Sequence, residues 1–135
     1  MGLDNGIILN IPSKELPKDF PTKLSDFSDK SFKESGELEI AYWRKCWGIR
    51  NAILKVLHGD LNGAGEYPIE AEDIPAILRA LMQFVKPQHW EEEADSIWEY
   101  DEMIDTLIDQ ILNLKWLERY LTENPEATCH FYDSW

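Results

Sequence analysis

The chain is poor in cysteine: two residues in 135, Cys46 and Cys129, which form no CxxC pair. That excludes a disulfide scaffold and a paired-thiolate site, and makes a reducing cytoplasm the expected compartment. Long apolar runs are missing as well, since none approaches the ~20 residues that cross a bilayer. The opening MGLDNGIILN has no basic segment ahead of an apolar stretch, so it does not read as a secretory leader. Gly2 does not open a myristoylation signal, because position 6 is glycine rather than Ser or Thr. Positive charge is scarce: 13 Lys plus Arg stand against 26 Asp plus Glu, a net charge of -13. Such a field repels polyanions, so direct contact with nucleic acid or an anionic membrane is disfavoured.

Catalytic signatures are missing too. The chain has no GxxxxGK, GxSxG or HExxH, and Gly63-Ala64-Gly65 lacks the third glycine of a dinucleotide fingerprint. Asp60, Asn62 and Glu66 in DLNGAGE do not keep the spacing of a calcium loop and read as a turn. Cys46, Cys129 and His130 could supply zinc ligands if brought together, but such scattered donors carry little weight. No catalytic residue, cofactor or metal is assigned.

What is present is globular composition, 44% hydrophobic and 12% aromatic, at a length that suits one domain over 1–135. The Ile-rich GIILNI, 6–11, predicts a strand, and so does the tail ATCHFYDSW, 127–135. Residues 12–36 hold three prolines and no clear period, which predicts a long surface loop pinned in part by Phe20, Phe27 and Phe32. ELEIAY, 37–42, alternates like a strand. Tyr42, Cys46, Ile49, Ile53 and Leu57 then predict a helix over 42–57, ending in the Gly-rich 58–68. A second helix begins with Asp73 as N-cap, carries Ile74, Ile77, Leu78, Leu81 and Val85, and stops at Pro87. A third spans about 95–122 with a stripe of Ile104, Leu107, Ile108, Ile111, Leu114 and Leu121. The economical arrangement is α+β: three amphipathic helices on a small sheet that includes both terminal strands, with ELEIAY as the candidate third strand.

Two segments stand out. AYWRKCWGIRNAIL, 41–54, gathers aromatics with scarce cations, while 87–114 holds nine acidic residues and neither Lys nor Arg. The landmarks MGLDN, AYWRK, YPIEAEDIPAIL and the final Tyr132-Asp133-Ser134-Trp135 resemble a family of small uncharacterised proteins encoded by bacteriophages and prophages. The resemblance implies a phage accessory context and no established activity; Arg50 stands where many relatives have His, so no role of that His transfers.

Asp4, Asn5, Tyr42, Trp43, Arg44, Lys45, His130, Tyr132 and Trp135 fall near one sheet edge in this arrangement, where Arg44 could pair with Asp4. They read either as packing anchors with paired charges, or as a pocket in which Arg44 and Lys45 hold an anion and an aromatic stacks on a ring. Glu91, Glu92, Glu93, Asp101, Asp105 and Asp109 form an acidic face; Asp101, Asp105 and Asp109 share one helical column, where like charges cost a few tenths of a kcal/mol per pair. Three functions follow. The first is a non-enzymatic interaction module for a basic protein, in its sharper form an inhibitor that mimics nucleic-acid charge. The second is a small-molecule or nucleotide binder using Tyr42 to Lys45. The third is a small hydrolase with an unrecognised site.

Overall fold

The computed structural model describes residues 3–44, 46–85 and 97–134, and for residues 85 and 97–104 the backbone alone. Four strands form one antiparallel sheet: β1 (Asp4–Asn10), β2 (Glu37–Arg44), β3 (Gly65–Pro68) and β4 (Thr128–Ser134), in the order β2-β1-β4-β3. The α-helices among the described residues are α1 (Asp26–Ser35), α2 (Trp47–Leu57), α3 (Ile74–Met82) and α4 (Ile97–Glu123). The chain is thus α+β, with both terminal strands paired to each other at the sheet centre, Asp4 opposite Ser134. Among the described residues no helix is long and apolar enough to cross a membrane.

The sheet is covered on one face. Asn5, Ile7 and Leu9 of β1 and Cys129, Phe131 and Asp133 of β4 point inward and are buried, alternating with more open positions except at Gly6, which is also buried. Ile7, Leu9, Cys129 and Phe131 join Ile49, Ile53 and Leu54 of α2, Ile74, Ile77 and Leu81 of α3, and Leu107, Leu114 and Leu117 of α4 in one core.

Several elements differ from the sequence reading. The segment 12–36 is not all loop: it contains α1, whose N-cap Ser25 accepts a hydrogen bond from the Ser28 N–H at 3.2 Å. Gly36 ends it in the left-handed conformation, φ 76°, which glycine adopts without a Cβ penalty. Phe32 alone of its residues is buried, so α1 has no apolar stripe to read. Of the three expected pins, Phe20 packs edge-on against Trp116 with ring centroids 5.1 Å apart and Phe32 is core, but Phe27 is 82% exposed. Tyr42 to Arg44 belong to β2 rather than to a helix, because pairing with β1 holds them extended; α2 begins only at Trp47.

Gly65–Pro68, expected as turn, pairs with β4 as a short edge strand. Asp73 stands at the N-cap position of α3 as expected, but its side chain makes no cap hydrogen bond to that helix. It closes a 3-10 turn, Ala71–Asp73, by accepting the Glu70 N–H at 2.9 Å in a capping box. In α4, Leu107 and Leu114 are buried as expected, but Ile108 is 45% exposed. Lys45, Trp135, Glu91, Glu92, Glu93 and the Pro87 stop lie outside the described residues.

A bulge in β2 sets the faces. Ile7 pairs with Ala41 and Ile8 with Glu39, so Ile40 is the extra residue. Leu38 and Ile40 point inward before it, Ala41 and Trp43 after it, and Tyr42 is thereby sent outward. The free edge of β2 is not left bare: Gln110 Nε2 of α4 donates to Tyr42 O at 3.0 Å and Asn113 Nδ2 to Ile40 O at 3.1 Å. These amides cover edge carbonyls that would otherwise invite another strand.

Candidate functional site

The aromatic and charged residues at the start of the 41–54 segment divide between the two faces of the sheet. On the inner face Trp43, Asn5, Asp133 and Gly65 lie side by side in register. Asn5 Nδ2 donates to Asp133 Oδ1 at 2.6 Å, and both residues are buried. The charge that matches Asp133 is Arg50, itself 2% exposed. Its Nε lies 3.1 Å from each Asp133 oxygen and its Nη2 2.9 Å from Oδ2.

The remaining donors of Arg50 reach Asn51 Oδ1 at 2.9 Å, Leu61 O at 2.8 Å and Gly63 O at 3.0 Å. Trp47 adds a cation–π contact, its ring centroid 5.3 Å from the guanidinium carbon. Five fixed donors suit this work, which a lysine ammonium could not reproduce. The arrangement ties α2, the 58–64 turn and β4 together, and the guanidinium is occupied by the protein itself. Sequence reasoning passed over this pair. The signals were a lone arginine beside Ile49, Ile53 and Leu54, and an aspartate in step with Cys129 and Phe131.

The outer face presents Asp4, Tyr42, Arg44, His130 and Tyr132. Arg44 and Asp4 are opposite each other in register. The Asp4 carboxylate, however, accepts Tyr42 Oη at 2.6 Å, and no ion pair joins Asp4 to Arg44 among the described residues. That hydrogen bond raises the Tyr42 pKa, with smaller contributions from burial and the Asp4 charge. Tyr132 is pushed up to about 12 by burial, then by Glu39, Tyr42 and Asp4. Partial burial raises the Glu39 carboxyl as well. The site residues expected to act together are therefore separated: Asn5 and Trp43 face the core, while Asp4, Tyr42, Arg44, His130 and Tyr132 share the open face.

The zinc donors do not converge, since Cys129 points inward and His130 outward on one strand and Cys46 sits at the start of α2. Among the described residues no three His, Cys, Asp or Glu side chains are grouped to hold a metal ion. The 58–64 segment is a turn in which the Asn62 N–H donates to Asp60 Oδ1 at 2.9 Å. A cleft of about 360 Å³ lies instead between Pro68–Ala71, Leu121, Pro125 and Ala127–Cys129. Its thiol, Cys129, is pushed up to about 12 by burial, the opposite of an activated nucleophile.

The acidic helix shows a second exposed surface. Asp105 and Asp109 are exposed on α4, and beside them Ile108 is 45% and Leu112 47% exposed. Asp101 falls within α4, but its side chain lies outside the described residues. Comparison with family models, with curated proteins and with solved structures found no match, and the functional reading rests on these surfaces.

Proposed function

We propose that this protein is a non-enzymatic, acidic interaction module of phage or prophage accessory type, which takes a basic protein partner on the exposed ridge of α4. The observation that carries this reading is the pairing of Ile108 and Leu112, four residues apart and nearly half exposed, with the exposed Asp105 and Asp109. Apolar area supplies affinity and the carboxylates supply orientation and encounter rate. The complementary surface is an amphipathic helix with Leu-type and Lys- or Arg-type positions. A second copy of the ridge fits poorly, since it would set aspartates against aspartates. In the sharper form the ridge stands in for a polyanion and occupies a nucleic-acid-binding partner. The resemblance of the MGLDN, AYWRK and terminal Ser-Trp landmarks supports the phage context, and two buried cysteines that form no disulfide with each other, Cys46 and Cys129, suit a reducing cytoplasm.

The test is a binding titration with a designed amphipathic Leu/Lys helical peptide at low and physiological salt. Asp105→Asn with Asp109→Asn should slow association at low salt, with the difference shrinking as salt rises. Ile108→Ser with Leu112→Ser should speed dissociation. Unchanged affinity of the Asn variant at low salt refutes the reading.

A further inference from the structure

The open face of the sheet is a different surface from the α4 ridge, in the other layer of the fold, and shares no residue with it. Its outward positions run in rows across the strands. Tyr42, Gly6, Tyr132 and Glu66 form one row, and Glu39, Ile8, His130 and Pro68 the next. Arg44, Asp4 and Ser134 flank the tyrosine row on the other side. Among the described residues the helices pack in the inner layer; on this row Tyr42 is 40% exposed and Glu66 is exposed, while Tyr132 is half-buried and Gly6 is buried beneath its ring.

Gly6 shapes the platform. A Cβ there would stand 2.6 Å from Tyr132 Cε1 and 2.8 Å from Ala41 O, so the absence of a side chain lets the Tyr132 ring lie across β1 toward Tyr42. Around these two rings stand the carboxylates of Asp4, Glu39 and Glu66; the counter-charge among the described residues of this face is Arg44. Both phenols are held protonated above their usual range, partly by the neighbouring carboxylates.

We propose that this face is a recognition surface for an arginine-bearing extended segment of a protein partner, the guanidinium stacking on Tyr42 and Tyr132 and donating to Glu39 or Glu66. The sign of the field selects a cation, contrary to the anion-binding role that Arg44 and Lys45 suggested in the sequence. A guanidinium fits better than an ammonium because it is planar, weakly hydrated, stacks on aromatic faces and donates bidentately to carboxylates. An open sheet face does not enclose a free small cation as a cleft would. Four strands of this length present an area on the order of 300 Å², well below the ~800 Å² per partner of a standard interface. That area matches a segment of a few residues, bound weakly, and not a globular face. A second copy would bring carboxylates against carboxylates, and nucleic acid or an anionic membrane is repelled.

The probe is a capped Thr-Arg-Thr-Arg-Thr peptide, with Lys and Glu versions as controls, titrated into the full chain and followed by amide and tyrosine-ring NMR shifts. The Arg peptide should perturb Gly6, Tyr42 and Tyr132 and bind about two- to fivefold tighter than the Lys peptide. Tyr42→Ala, at an exposed position, should remove that preference, and Glu39→Gln should weaken the Arg peptide by about two- to fivefold. The Asp105→Asn, Asp109→Asn variant should bind it as wild type does, which separates this surface from the α4 ridge. Equal binding of Arg and Lys peptides, indifference to Tyr42→Ala, or shifts confined to α4 would each overturn the proposal.

Discussion

Replacing Arg50 with Met removes the charge that matches Asp133 in the interior and leaves a buried carboxylate facing a neutral amide, Asn5 Nδ2. Breaking a buried ion pair by deleting one partner costs about 3–5 kcal/mol, because the other charge is left uncompensated. The side chains here are 2% and 0% exposed, so the upper part of that range applies. The carbonyls of Leu61 and Gly63 also lose their donor, at about 1 kcal/mol each where water does not replace it. Even the charge term alone, about 4 kcal/mol with water taken to replace the lost donor at both carbonyls, is a large share of the 5–15 kcal/mol typical of a domain.

With a urea slope of about 2 kcal/mol/M, the midpoint should fall by about 2 M, read from tryptophan fluorescence. The double variant Arg50→Met, Asp133→Leu discriminates the cause. An apolar pair of similar volume carries no stranded charge, so it should recover at least about 2 kcal/mol relative to Arg50→Met alone. Amides of the 58–64 turn should exchange faster in both variants, since the arginine also holds that turn. A loss under about 1 kcal/mol in the single variant, or additive losses in the double, would refute the reasoning.

Gly6→Ala should cost about 1–3 kcal/mol, because its Cβ meets Ala41 O, a backbone atom that cannot rotate away; a denaturation midpoint equal to wild type would contradict the close approach. Tyr132, with its pKa pushed up to about 12, keeps its proton in the folded state while the unfolded chain loses it near 10. Its contribution is therefore fully present below pH 10 and lost as pH rises from 10 to 12, about 1 kcal/mol after allowance for solvent access. Tyr132→Phe should flatten that alkaline loss, and absorbance at alkaline pH should show a late-titrating phenol; all five tyrosines titrating together near 10 would count against it. Deleting residues 130–135 should unfold the domain rather than trim a tail, because it removes Phe131 from the core and Asp133 from Arg50; an unchanged melting temperature would refute this. Changing Asp101, Asp105 and Asp109 to Asn should raise stability by a few tenths of a kcal/mol per relieved pair while weakening a basic partner, measured by parallel melting and binding curves.

The amino-acid order alone determined whatever is carried by local period and by summed charge. GIILNI and TCHFYDS declare themselves as strands through β-rich apolar runs, and Ile74, Ile77, Leu78 and Leu81 declare one helical face. The α+β class follows, since such stripes must be buried against one another. The acidic character needed no coordinates either. The tertiary structure alone decided which way the signature residues face. In ELEIAYWR strict alternation would place Leu38, Ile40 and Tyr42 together; the bulge at Ile40, created by pairing with β1, reverses the phase and turns Tyr42 out and Trp43 in. Helix α1 was hidden because a helix that buries one phenylalanine has no stripe, and β3 because four residues gain strand character only from a neighbour. Arg50 and Asp133 are 83 positions apart, and their attraction was invisible in sequence because burial, which makes an unpaired charge costly, is a property of the packed chain and not of either residue's neighbours along it.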